Sequence, residues 1–250
     1  MILAVDATNW IHSLWHAQRG QGILPAVRAR LQALAERYEP QHLVACFDRR
    51  SFRHDLFPDY KAGRKQKPES LCRDLAEAPE FLGNIATVCQ EDGFEADDCL
   101  ASLAAAGQQI GQQVILASPD KDLRQCLVVG QVTILRSFSL DRGQVAEVCW
   151  YTATDLNNEY GLTPVQWVTY QALVGDATEG IPGCAGWGEK TVLAVMARFF
   201  TLAEIFANPW SLPITQKQQL PLGKFKMQAQ KMLSLVTLRT DAAAAWDAIR

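Results

Sequence analysis

Long apolar runs are missing from this chain. Nowhere does it approach the roughly 18 uninterrupted apolar residues that a membrane-spanning helix needs, so nothing in it predicts a membrane protein. The first apolar run ends at Asp6 with no basic segment ahead of it, too short for a secretory leader, and a cytoplasmic protein is the expectation. Histidine is scarce, four in 250 residues, and the seven cysteines (Cys46, Cys72, Cys89, Cys99, Cys126, Cys149 and Cys184) include no pair at metal-ligand spacing. That excludes zinc-ribbon chemistry and reads as small apolar side chains in a reducing compartment. Linkers rich in Ser or Pro are absent too, as are internal repeats. With 48% apolar and 20% charged residues, the composition is ordinary for a globular protein with a sizeable core.

A net charge of -3 gives no general attraction to nucleic acid, but the local distribution does. Residues 49–67 carry seven Lys or Arg against the two acids Asp55 and Asp59, and residues 205–240 carry no acid beside Lys217, Lys224, Lys226, Lys231 and Arg239. The chain reads as basic surfaces around an acidic centre.

Residues 2–5, 43–47, 114–117 and 132–135 are short apolar runs alternating with longer helical stretches. Such alternation predicts an α/β protein with a mainly parallel central sheet and flanking helices. Beyond about residue 151 the texture turns helical, with helices expected over 151–160, 163–174 and 190–200 and Pro164 at a helix start. The expected division is therefore an α/β core over 1–150 and a helical region over 151–250 packed on it.

Eight acids fall in five segments, each at an expected strand end or helix start: Asp6, Asp48, Glu95 with Asp97 and Asp98, Asp120 with Asp122, and Asp176. Any one of them alone reads as a helix cap or turn residue. Strand C-termini of a parallel sheet share one edge, so several should meet there. Gathering that many carboxylates costs several kcal/mol in repulsion unless cations neutralise them. An all-oxygen cluster without His or Cys selects hard ions such as Mg²⁺ or Mn²⁺.

Around these acids stand FD at 47–48, FRH at 52–54, YKAGR at 60–64, GFEADD at 93–98, PDKD at 119–122, and GD at 175–176 running into IPG at 181–183 and GWGEKT at 186–191. In this order and spacing the segments resemble the 5′-nuclease family that includes the N-terminal nuclease domain of bacterial DNA polymerase I and the flap endonucleases. The resemblance implies a PIN-like nuclease core, two Mg²⁺ ions (with Mn²⁺ as a substitute), and DNA with a 5′ flap, overhang or junction as substrate. Asp6, Asp48, Glu95 and Asp97 would lie near one ion; Asp98, Asp120, Asp122 and Asp176 would lie near the other. Lys61 and Arg64 would stand beside the scissile phosphate, on one helical face if a helix forms on binding. The resemblance also places Arg53, Tyr60 and Lys65 on the DNA, Tyr60 by stacking on an unpaired base, within a short basic arch around 49–93. Gly183, Gly186, Gly188, Lys190 and Thr191 would form the turn of a helix-three-turn-helix, spanning about 163–200, that grips duplex phosphates and holds K⁺. A monomer is expected.

The sequence departs from the family at four places, one of them Ala7 where the family has Gly after the first Asp. Glu179 stands where the family has a second Asp three residues after Asp176, and its extra methylene moves the carboxylate by about 1.5 Å; it is retained as a metal-ligand candidate. Gly180 replaces the following Asn, and Ser13 replaces an Arg. These departures keep open a structure-specific DNA-binding protein that cleaves poorly. A haloacid-dehalogenase-type phosphatase is excluded because Thr8 occupies the place of its second Asp. A PIN-type ribonuclease lacks the glycine-rich turn.

Overall fold

The computed structural model describes residues 1–250. In chain order the elements begin with β1 (Ile2–Asp6), α1 (Ala7–Ala17), α2 (Ile23–Tyr38), β2 (His42–Cys46), α3 (Arg53–Leu56), α4 (Glu69–Leu82), β3 (Thr87–Cys89) and α5 (Ala96–Gln109). Then follow β4 (Val114–Ala117), a 3₁₀ turn over Asp122–Cys126, β5 (Val132–Asp141), β6 (Gln144–Tyr151), α6 (Ala153–Tyr160) and α7 (Pro164–Val174). The two-residue strands β7 (Gly175–Asp176) and β8 (Ile181–Pro182), α8 (Glu189–Met196), α9 (Leu202–Ala207), α10 (Gln216–Val236) and α11 (Ala243–Asp247) complete the chain. The chain folds into two units: Met1–Ser51, Lys65–Thr152 and Arg239–Arg250 form one, Phe52–Arg64 and Ala153–Leu238 the other. The cut differs from the expected one at 150/151, since a basic loop joins the second unit and the C-terminus returns to the first.

The first unit is built on a six-stranded sheet ordered β3-β2-β1-β4-β5-β6. Neighbours are parallel from β3 to β5, and β6 runs antiparallel to β5. Side chains alternate between faces along each strand. Leu3, Val5, Ala45, Ile115 and Ala117 pack with Ile11, Val27, Leu31, Leu34, Leu71 and Leu82 from α1, α2 and α4. The alternate residues Ile2 and Val114 meet α5 on the opposite face. A Cβ at Gly107 of α5 would lie 2.3 Å from Val114 Cγ2 and 3.2 Å from Ile2 Cδ1, so only glycine lets this helix come so near. The chain winds outward in one direction from β1 and in the other from β4. That reversal leaves a crevice at the strand C-termini, where Asp6 ends β1 and Asp120 follows β4.

Two expectations are corrected in this unit. Residues 69–82, placed within a short basic arch, form α4 and bury Leu71, Ala78 and Leu82. Strands β3 and β6, unforeseen, widen the sheet on both sides.

In the second unit, α7 begins with a capping box in which Thr163 and Gln166 satisfy each other's backbone amides, with Pro164 in the first turn. Its ring pair Trp167 and Tyr170 stacks at 4.7 Å. Arg53, 2% exposed, donates from Nε to Leu235 O at 2.8 Å and from Nη2 to Thr237 O at 3.1 Å. A cation thus closes the C-terminal end of α10, where orphan carbonyls and the helix dipole favour positive charge. Gly183 packs directly on the end of α7: a Cβ there would lie 2.4 Å from Leu173 O and 2.3 Å from Val174 O. No helix of the chain is long and apolar enough to cross a membrane.

Candidate metal centre

Asp6 is buried at the C-terminus of β1. Its Oδ1 accepts the Asn9 amide at 2.9 Å, capping α1, and its Oδ2 accepts the Ser118 hydroxyl at 3.0 Å. The same Ser118 oxygen accepts the Asp120 amide at 3.2 Å, and Asp120 Oδ1 accepts the Asp122 amide at 2.9 Å. Asp48 is held from both ends: its amide donates to Thr8 Oγ1 at 2.9 Å and its Oδ1 accepts the Ala96 amide at 2.8 Å. One backbone turn after another therefore fixes these carboxylates before any ligand arrives.

Their electrostatics show the proximity. Burial pushes the Asp6 carboxyl up to about 7, with repulsion from Asp48 and Asp120 adding to it against the Asn9 and Ser118 hydrogen bonds. Asp97 is pushed well above the usual carboxylate range, first by burial and then by Asp120, Asp6, Asp122 and Asp48. Asp97 Oδ1 is covered from solvent and has no hydrogen-bond partner. An orphaned carboxylate oxygen among four other acids fits a hard divalent cation. As the side chains stand, no three His, Cys, Asp or Glu groups converge on one ion-sized point.

Four expected site acids are engaged otherwise. Asp98, fully buried, accepts the Glu95 amide on Oδ2 at 3.0 Å and the Arg239 amide on Oδ1 at 2.9 Å. Glu95 reciprocates toward the Asp98 amide in a capping box. The pair thereby starts α5 and anchors the returning C-terminus. Glu179 belongs to the second unit, where its carboxylate pairs with Arg64 through Oε1 and with Lys61 Nζ at 3.3 Å through Oε2. Asp176, also of that unit, accepts the Thr178 and Glu179 amides on Oδ1 at 2.8 and 3.2 Å.

Residues 58–64 are turns, not a helix, and Lys61 and Arg64 are brought together by Glu179. Arg53 is the buried anchor of α10 described above, not a surface contact. Tyr60, 5% exposed, has its ring edge-on to His54 at 5.2 Å with Lys61 Nζ over it at 4.8 Å, so it offers no free face to a base. Lys65 is exposed.

In the turn before α8, Gly186 (φ +75°) and Gly188 have open space where a Cβ would stand, and Lys190 is exposed. Thr191 accepts the Gln218 side chain at 3.0 Å, and Trp187 Nε1 donates to Gln218 O at 2.7 Å. Gly183 and Thr191 thus serve packing, whereas Gly186, Gly188 and Lys190 leave an open surface.

The N-terminal resolvase-like domain of 5′-3′ exonucleases matches residues 1–161, and the C-terminal SAM fold of the same enzymes matches residues 162–249. The chain belongs to the 5′-3′ exonuclease family. It is 31% identical over 245 residues to the flap endonuclease Xni of Yersinia pseudotuberculosis, covering 96% of this chain and 93% of that one. The Xni of Serratia proteamaculans is 31% identical over 247 residues, covering 97% and 94%. T5 5′-exonuclease with zinc ions bound superposes with a TM-score of 0.81 at 24% identity, covering 99% of this chain and 95% of that one. Human GEN1 in complex with Holliday junction DNA gives 0.67 at 16% identity, covering 95% and 61%. At such identities these two likenesses speak for the fold.

For this 5′-3′ exonuclease, sequence reasoning overlooked the residues that orient the acids. Ser118 serves two carboxylate-bearing segments, and its position just before Pro119 and Asp120 is the available signal, a hydroxyl poised for a side-chain turn. Thr8 does the same for Asp48, but that contact spans 40 residues and leaves no local trace.

Proposed function

We propose that this 5′-nuclease hydrolyses DNA phosphodiesters near a 5′ end or single-strand/duplex junction, leaving a 5′-phosphate and a 3′-hydroxyl. The observation that carries the reading is the cluster of Asp6, Asp48, Asp97, Asp120 and Asp122 with its orphaned Asp97 oxygen, on the sheet edge of a nuclease-family fold. These five residues would hold the divalent cations, Mg²⁺ with Mn²⁺ as substitute; Asp176 completes the proposal on the strength of its motif. When bound, such cations supply the Lewis acidity that activates water and stabilises the leaving oxygen.

The chain's own groups do the rest. Asn9, Ser118 and Ala96 lock the orientation of Asp6 and Asp48, so little reorganisation accompanies reaction. Lys61 and Arg64 receive the scissile phosphate. The backbone of Gly186 and Gly188, with Lys190, approaches duplex phosphates, and the same left-handed turn is the proposed place for K⁺. Acting as a monomer in the cytoplasm belongs to the same proposal.

A second reading, a junction-binding protein that cleaves poorly, is favoured by the engagement of Asp98 and Glu179 with partners outside the cluster. A labelled 5′-flap duplex decides between them: gel shift in Ca²⁺ beside cleavage over a Mg²⁺ and Mn²⁺ series. Cleavage that depends on the divalent ion supports the nuclease; a tight shift with no product at any concentration supports the binder.

A further inference from the structure

We propose that Glu179 is a positioning residue that holds Lys61 and Arg64 as a preset cationic pair for the DNA phosphate, and is not a metal ligand; this rests on the nuclease reading above. Each carboxylate oxygen faces one cation: Oε1 accepts from Arg64 Nη2, and Oε2, which makes no hydrogen bond, lies 3.3 Å from Lys61 Nζ in an ion pair. The Glu179 side chain is 15% exposed and that of Lys61 17%, so this pair is sheltered from the screening that makes surface ion pairs nearly worthless.

The backbone repeats the connection. Lys61 donates its amide to Glu179 O at 2.8 Å. Next to it Gly180 (φ +72°) lies so close that a Cβ would stand 2.7 Å from Asp59 O. Lys61 itself adopts a left-handed backbone, φ +58°, which costs an L residue roughly 1–2 kcal/mol. Such strain persists only where the surroundings over-determine it, and it gathers at functional sites. Two cations brought side by side also repel each other. A carboxylate between them removes that penalty and fixes their spacing. The Arg64 guanidinium carries five donors and its side chain remains 51% exposed, so a phosphate can join without displacing Glu179.

Neutralising Glu179 should therefore strengthen attraction to phosphate while loosening its aim. The test compares wild type, Glu179→Gln, Lys61→Met and the double variant. In EDTA, anisotropy of a fluorescein-labelled duplex with a single-stranded 5′ overhang is followed across a KCl series. Glu179→Gln is expected to bind roughly 3- to 10-fold tighter at low salt, with a log–log salt slope steeper by about 0.7 for each additional phosphate the protein neutralises. In the Lys61→Met background this tightening should shrink to half or less. In single-turnover cleavage of the same DNA, Glu179→Gln should keep the wild-type half-saturating Mg²⁺ concentration, while its saturated rate falls by about 10-fold or more.

Unchanged binding in EDTA together with a several-fold rise in half-saturating Mg²⁺ overturns the proposal and makes Glu179 a ligand. Should Glu179→Gln not fold, Glu179→Asp withdraws the charge by about 1.5 Å and is read against the same two outcomes, with a smaller expected tightening. A wild type that binds but never cleaves removes the nuclease reading, while the EDTA arm still decides whether Glu179 governs the cation pair.

Discussion

Chemical type and location in the fold separate the acids that face one another from those that do not. Asp120→Ala should lower divalent-dependent cleavage by roughly 100-fold or more, the scale of losing one element of a preorganised charge cluster, with duplex affinity in Ca²⁺ retained. Near-normal turnover in a cleavage assay would rule Asp120 out as a ligand. Arg53→Ala should act on stability instead: two charged hydrogen bonds to Leu235 and Thr237 disappear and leave the buried Leu235 carbonyl unsatisfied, a loss of about 3 kcal/mol. Denaturant unfolding measures it, and a stable variant with weakened DNA binding would return Arg53 to the surface role its motif suggested. These contrasts mark what was legible in the sequence. That acids end strands could be read locally. That Asp98 serves the amide of Arg239, 141 residues on, and that Arg53 serves carbonyls 182 and 184 residues on, could not, because partners so distant leave no spacing to read.

At the level of elements, short apolar runs exposed the four central strands because residues 2–5, 44–46, 114–117 and 132–135 are almost all buried. Strand β6 went unread although Val148, Cys149, Trp150 and Tyr151 form an apolar run; the run leads straight into the helical stretch, and most of this edge strand is exposed. In the turn 58–64 the i, i+3 spacing of Lys61 and Arg64 fits a helix that would form on binding, whereas in the free chain the left-handed Lys61 keeps the segment in turns. The segment before α8 offers a paired test of packing against recognition. Gly183→Ala forces a Cβ against two carbonyls of α7 and should destabilise by about 2 kcal/mol or more. Gly188→Ala meets open space and should leave thermal stability within about 0.5 kcal/mol, yet weaken duplex binding by crowding the backbone that approaches phosphate. Equal effects of both on melting, or none on affinity from Gly188→Ala, would show the turn to be merely structural.

For the molecule as a whole, the carboxylate cluster makes stability depend on pH and on divalent ions together. Asp6 titrates near 7 in the folded state, far above its unfolded value, and Asp97 is raised as well. Between roughly pH 4 and 7 the folded chain therefore binds more protons than the unfolded one. Stability from these groups is fully present at low pH and lost as pH rises through the folded value. Other groups titrate over the same range, so the informative quantity is the difference between wild type and Asp97→Asn in EDTA. The variant should melt at a higher temperature than wild type at pH 8, where wild type keeps buried like charges, with the gap closing near pH 5. Mg²⁺ works in the opposite direction. At pH 8 and about 100 times its dissociation constant it should stabilise wild type by about 2.7 kcal/mol, and it should do little at pH 5, where protons compete for the same oxygens. Because the cluster lies in the unit of Met1–Ser51, Lys65–Thr152 and Arg239–Arg250, hydrogen exchange should register the Mg²⁺ protection first in β1, β4 and the start of α5. Melting curves that do not separate wild type from Asp97→Asn at pH 8, or Mg²⁺ protection of equal size at both pH values, would mean that these acids do not act as one cation-binding group.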